Sequence, residues 1–146
     1  MLKRTNSTKS AKEVAIVRRW KLIDVNGKIL GREASRIARM LQGTDKATYS
    51  PNLDGGDYVV VLNAQSVKLT GRKEQVKTYD RYSGYPGGRT VKTAARMRET
   101  RPTELIRHAV SGMLPKNKLR SRRLARLFVF PDANHTHGDK FETKNS

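Results

Sequence analysis

Apolar positions recur at helical spacing in two stretches of this chain and run without a break in a third. Leu30, Ala34, Ile37, Ala38 and Leu41 fall on one face of a helix, and at about 100° per residue Arg32, Arg36 and Arg39 project from nearly the opposite face. Gly43 supplies the C-terminal stop. A second stripe, Leu105, Ile106, Ala109, Val110 and Met113, follows Pro102, which suits a first helical turn, and Glu104, which suits the positive end of the helix. Between them, Asp57-Tyr-Val-Val-Val-Leu-Asn63 is apolar throughout rather than alternating. That pattern predicts a strand buried on both faces, as in a parallel sheet with helices on either side.

Weaker signals complete the outline. Trp20-Lys-Leu-Ile-Asp-Val alternates towards a strand closed by the Asn26-Gly27 turn, so strand, helix and strand follow one another in a crossover that covers one face of the sheet. Ser66–Thr70 reads as a short further strand ended by Gly71, and Thr78–Tyr82 as extended chain. A short helix is expected around Thr90–Arg98. A last helix through Leu119, Leu124 and Leu127 is expected to lead into a strand at Phe128–Phe130. The length suits one α/β domain, residues 20–130, with a basic arm at 1–19 and a polar, loose tail at 131–146.

Charge changes the picture from a fold to a class of partner. With 31 Lys and Arg against 13 Asp and Glu, the net charge is +18 on 146 residues, the electrostatic footprint of a nucleic-acid binder. The densest stretch is Gly112–Arg126, where Lys116, Lys118, Arg120, Arg122, Arg123 and Arg126 occur with no Asp or Glu. Packed together these cations repel, and a phosphate backbone relieves the repulsion while releasing its own counterions. A solvated helix face is the alternative reading of that segment. No apolar run approaches the roughly 20 residues that span a bilayer, and the basic helices lack the aromatic face of an interfacial anchor.

Catalytic constellations are scarce. The chain has no cysteine, hence no disulfide, thiolate nucleophile or Cys-based zinc site, which fits a reducing compartment. Asp24 and Asp57 flank strands and are better explained by turns and strand ends than by a catalytic pair. His135 and His137 read as exposed residues or phosphate contacts, and His108 as a packing or surface histidine. Gly27-Lys-Ile-Leu-Gly31-Arg has neither the P-loop spacing nor a Gly-x-Gly-x-x-Gly pattern, so a turn explains it better than a bound nucleotide. The loop Tyr82-Ser-Gly-Tyr-Pro-Gly-Gly-Arg89 stays open to two readings. Gly84, Gly87 and Gly88 permit close approach of backbone to a ligand, Tyr82 and Tyr85 can stack, Ser83 can hydrogen-bond, and Arg89 can grip phosphate; or the segment is an ordinary turn cluster.

Together, Trp20–Asp24, Leu30-Gly-Arg-Glu-Ala-Ser35, Tyr49-Ser-Pro51, Gly56-Asp57, Lys68-Leu-Thr-Gly71, Ser83–Gly88, Arg101-Pro102 and Gly112-Met-Leu-Pro-Lys-Asn117 make the chain resemble the ribosomal protein L-thirteen family of the large subunit, in its bacterial form. The resemblance extends from about Glu13 to His137. It implies a three-layer α/β/α domain with a four-stranded parallel sheet. It also implies a place on large-subunit ribosomal RNA beside neighbouring ribosomal proteins, a role in early subunit assembly, cytoplasmic location, no enzymatic activity and no cofactor or small-molecule substrate. An organelle ribosome fits the same words. The family's RNA-facing loop falls on Ser83–Gly88 and its second basic loop on Gly112–Lys118. Asp45 departs from the basic turn usual in the family and leaves Lys46 to carry a contact there alone. An architectural DNA-binding protein and an α/β nucleotide enzyme are the rival classes, distinguished by equal affinity for duplex DNA and by saturation with a nucleotide.

Overall fold

The computed structural model describes residues 16–141; most of the expected basic arm, 1–15, and the end of the expected tail, 142–146, lie outside the described residues. β1 (Trp20–Asp24), α1 (Leu30–Gln42) and β2 (Tyr58–Leu62) follow the expected strand, helix, strand order. β1 and β2 pair in parallel, Trp20 opposite Tyr58 and Asp24 opposite Leu62. The helix stops at Gly43, whose left-handed φ of 77° lets its N–H reach the Arg39 carbonyl at 2.8 Å. The returning loop then crosses the helix end so closely that a Cβ on Gly56 would lie 1.8 Å from the Leu41 carbonyl oxygen. Glycine is required there by space alone.

The chain continues through α2 (Lys73–Val76), β3 (Thr78–Tyr82), β4 (Arg89–Thr93), α3 (Ala94–Thr100), α4 (Pro102–Met113), α5 (Leu119–Leu124) and β5 (Leu127–Val129). β5 adds to β2 in parallel, giving the order β1-β2-β5. Its central place explains why β2 is apolar at every position: Val59, Val60 and Val61 are fully buried. A four-stranded parallel sheet was expected, and among the described residues this sheet has three strands. The Ser66–Thr70 stretch reaches its neighbour through a single parallel bridge between Ile29 and Lys68. The reason is local: Lys28–Leu30 is already turning into α1, which leaves room for only the Lys68 N–H to Lys28 carbonyl and Leu30 N–H to Lys68 carbonyl bonds, 2.8 and 2.9 Å.

Helices on both faces were expected as well. Instead, α1 and α4 pack together on one face, where Ile23, Val59, Val61 and Leu127 meet Ile37, Leu41, Leu105, Ile106 and Val110 in one core. The opposite face is aromatic. Trp20 stacks on Tyr58 with ring centres 4.5 Å apart and on Phe128 at 5.7 Å. The chain after Pro131 folds back over this face, placing His137 at 4.5 Å from Phe128 and 5.2 Å from Trp20, and Phe141 at 6.3 Å from Trp20. The described part of the expected loose tail is thus a cover for the sheet. Three rings, one from each strand, leave a broad apolar surface, and burying it recovers roughly 25 cal/mol for each Å² removed from water.

The short helix expected at Thr90–Arg98 is half strand. Arg89–Thr93 pairs antiparallel with Thr78–Tyr82 in a two-stranded hairpin, Tyr82 opposite Arg89, and α3 begins only at Ala94, with the Thr93 hydroxyl accepting the Arg96 N–H at 3.4 Å. Both strands are largely solvated on both sides, so they carry no apolar alternation to read.

α1 provides a direct test of how its faces divide. Ile37 is fully buried, and Ile37→Ala is expected to destabilise the domain by about 2–4 kcal/mol through lost burial and the cavity left behind. The Arg36 side chain is 59% exposed and only 4.0 Å from Glu33, so Arg36→Ala is expected to leave the urea midpoint within error, as for most surface pairs. Equal losses in the two variants would show that the faces are wrongly divided.

Candidate nucleic-acid interface

The residues singled out in the sequence fall into three surface groups and one buried one. Arg32, Arg36 and Arg39 line the exposed face of α1. Ser83–Gly88 forms the tip of the β3–β4 hairpin, with Tyr82 and Tyr85 65% and 76% exposed. Gly87 has a left-handed φ of 74°. A Cβ on Gly88 would come within 2.0 Å of the Ser83 hydroxyl oxygen and 3.0 Å of the Tyr85 carbonyl. Glycine at 87 suits the conformation, and a side chain at 88 would have to displace the Ser83 hydroxyl and crowd the Tyr85 carbonyl. Arg89 at its base is held by Asp80. Lys116, Asn117 and Lys118 occupy an exposed loop between α4 and α5. There the Asn117 side-chain oxygen accepts the Leu119 N–H at 3.2 Å, so this side chain shapes the loop. Arg120 donates to the Ser111 hydroxyl, and Arg122 is exposed.

Arg123 and Arg126 are different. They are 1% and 7% exposed and both turn inward to Asp54: Arg126 is bidentate on its carboxylate, and the Arg123 Nε lies 3.6 Å from it. The Nη2 of that pair also donates to the Leu41 carbonyl at 3.2 Å, tying α1, the 46–56 loop and the residue before β5 together. Burial pushes the Asp54 carboxyl up, but the Arg126 hydrogen bonds and the charges of Arg126, Arg123 and Arg18 outweigh it and hold the group below its ordinary value. These two arginines are structural and leave the set of candidate RNA contacts. Lys46 leaves it too. Its ammonium donates to the Val17 and Gly55 carbonyls at 2.9 Å each and to Asp57, which uses all three of its N–H groups. Asp57, buried at the start of β2, also takes the Arg19 N–H at 3.0 Å and faces Lys21 at 3.2 Å. Burial raises this carboxyl, and the Lys46, Arg19 and Lys21 contacts lower it further than burial raises it.

Cations line two grooves, and apart from Arg32 none of them was among the residues expected from the sequence. One, of about 1070 Å³, lies between the β3–β4 hairpin and α4 and is bordered by Arg81, Lys92, Arg101 and Arg107 along with Tyr79 and His108. The other, of about 610 Å³, is bordered by Arg32, Lys68, Lys73 and Lys77. His108 borders both, so the grooves share the exposed edge of α4. Arg32, Lys68, Lys73, Lys77, Arg81, Lys92 and Arg107 have no carboxylate within ion-pair distance among the described residues. A signal for three of them was in the sequence: Lys77, Arg81 and Lys92 recur through a segment with only Asp80 opposing them. The run at 116–126 is more concentrated, but two of its six cations are buried. Among the described residues no cluster of His, Asp and Glu could hold a metal ion, and no helix is long and apolar enough to cross a membrane.

Residues 18–136 match the family described as Ribosomal protein L13. The chain is 50% identical over 131 residues to the large ribosomal subunit protein uL13 of Syntrophotalea carbinolica, which covers 90% of this chain and 92% of that one. It is 50% identical over 127 residues to the uL13 of Clostridioides difficile, covering 87% and 89%, and 48% identical over 130 residues to that of Syntrophus aciditrophicus, covering 89% and 92%.

Proposed function

The chain belongs to the ribosomal protein L13 family, and from that premise we propose that it is a structural component of the large ribosomal subunit in the cytoplasm, one that binds large-subunit ribosomal RNA and supports early assembly of the subunit. The family is structural rather than enzymatic. The observation that supports RNA binding most is the distribution of unpaired charge. Seven cations without carboxylate partners among the described residues border two adjoining grooves, beside a hairpin tip that exposes two tyrosines and carries a glycine of positive φ. A rigid domain of this kind holds cations at fixed separations, so it favours an RNA already folded to match them and pays little ordering entropy on binding. Neighbouring large-subunit proteins are its other expected partners.

The hairpin tip is where this reading is tested. Gly87→Val with Gly88→Val is expected to leave far-UV circular dichroism and the melting midpoint near those of the unaltered chain, because Ser83–Gly87 is exposed and contributes nothing to the core. Backbone geometry at the tip is expected to be disturbed, since Val resists positive φ at 87 and crowds the Ser83 side chain and the Tyr85 carbonyl at 88. In competition with the unaltered chain during subunit reconstitution, the double variant is expected to enter large subunits poorly. Equal incorporation would reduce the tip to a surface turn. As a control for class, a duplex DNA of equal charge is expected to compete weakly against folded ribosomal RNA; equal competition would favour an architectural DNA-binding protein instead.

A further inference from the structure

We propose that the groove between the β3–β4 hairpin and α4 receives a single-stranded stretch of RNA, with a base set against the Tyr79–His108 ring pair and phosphates on Arg81, Lys92 and Arg107, an inference that rests on the RNA-binding reading above. Size argues first. At about 1070 Å³ the groove lies just above the ~300–1,000 Å³ that small-molecule sites span. That is room for a few nucleotides of one strand.

Chemistry argues second. The Tyr79 and His108 rings lie 5.8 Å apart, tilted by 39°, and both border the groove. Tyr79 is seated against the core while His108 is exposed on α4, so one ring is fixed and the other is open to a ligand. Lys77 sits over one face of the Tyr79 ring, 5.3 Å from its centre, so the ring that remains open to a base is that of His108. An aromatic platform with cations around it is how proteins hold unpaired nucleotides without reading their sequence.

Charge argues third. Of the two carboxylates bordering the groove, Asp80 is held by Arg89 and Glu104 by Arg101. Arg81, Lys92 and Arg107 are left with no carboxylate partner among the described residues, so the free charge facing the groove is positive.

The test uses the full chain and a fluorescein-labelled oligouridylate, a flexible single strand, read by fluorescence anisotropy. The unaltered chain is expected to bind it, and an unlabelled RNA duplex is expected to compete poorly. His108→Ala is expected to weaken binding by about five- to a hundredfold, the range that losing one stacked base produces, while His108→Phe, which keeps a ring, is expected to restore most of it. Arg107→Ala is expected to lower the slope of log affinity against log salt by about 0.7, one phosphate contact on a single strand. His108 and Arg107 are exposed, and unchanged melting midpoints check that the variants fold. Oligouridylate affinity unmoved by His108→Ala, or a duplex competing as well as the single strand, would overturn the proposal. Titrating the same protein with large-subunit ribosomal RNA separates the two readings. Tight ribosomal RNA binding without oligouridylate binding overturns the groove alone, and loss of both overturns the RNA-binding reading with it.

Discussion

Asp54→Asn is expected to destabilise the domain by about 3–5 kcal/mol, the cost of leaving buried charge without its partner. Asp54 is the sole carboxylate in contact with the buried Arg123 and Arg126 among the described residues. An amide in its place keeps the shape but removes the negative charge, so two guanidinium groups face each other in a site that excludes water. Equilibrium urea unfolding measures the loss. Adding Arg123→Met to Asp54→Asn is expected to recover part of it, since one of the two orphaned charges is then replaced by an apolar chain of similar reach. A double variant no more stable than the single one would mean that the repulsion between the arginines is not the cause. The same site sets the acid limb of stability. Asp54 and Asp57 both have folded values held below the ordinary carboxylate value of 3.8. Their stabilisation is therefore fully present above that value and drains away as pH falls below it towards the folded values. In Asp54→Asn the acid-induced loss of stability is expected to be shallower, because one of the three linked protonations, of Asp24, Asp54 and Asp57, has been removed.

Affinity for folded fragments of large-subunit ribosomal RNA is expected to fall by roughly 10³ to 10⁵ between about 50 and 200 mM salt if six to ten phosphates are neutralised. The exposed cations suffice for that number without the buried pair. Arg32, Arg36 and Arg39 on α1, Lys116, Lys118 and Arg122 around α5, and Arg81, Lys92 and Arg107 beside the hairpin are all available at the surface or in its grooves. Filter binding over a salt series reads the slope. Arg123 and Arg126, though they stand in the most basic segment, are not expected to contribute to it. A nearly flat dependence would mean that phosphate neutralisation is not what holds the RNA.

The helices were legible because each carries its own period. Leu30, Ala34, Ile37, Ala38 and Leu41 are all buried, as their spacing predicts, and Pro102 opens α4 as its fixed φ allows. The central strand was legible because burial on both faces leaves no polar position in β2. Elements whose residues face water on both sides, such as β3 and β4, left no such mark, and half of that hairpin read as helix. The aromatic face of the sheet was invisible for another reason. Trp20, Tyr58 and Phe128 are 38 and 70 residues apart in sequence, and nothing local shows that they stack or that His137 and Phe141 return to cover them.

Charge divides in the same way. Composition and spacing by themselves determined that this chain forms an α/β domain with a large positive excess, and that one helix turns apolar residues one way and arginines the other, because periodicity and net charge are sums over neighbours in sequence. Which cations remain free was decided only by the tertiary structure. Arg123 and Arg122 are adjacent and chemically identical, yet one is buried against Asp54 and the other is exposed. Lys46 is consumed by Asp57 and two carbonyls, while Lys92 is left facing a groove. An ion pair depends on where a carboxylate 72 residues away along the chain is placed, and only packing fixes that distance.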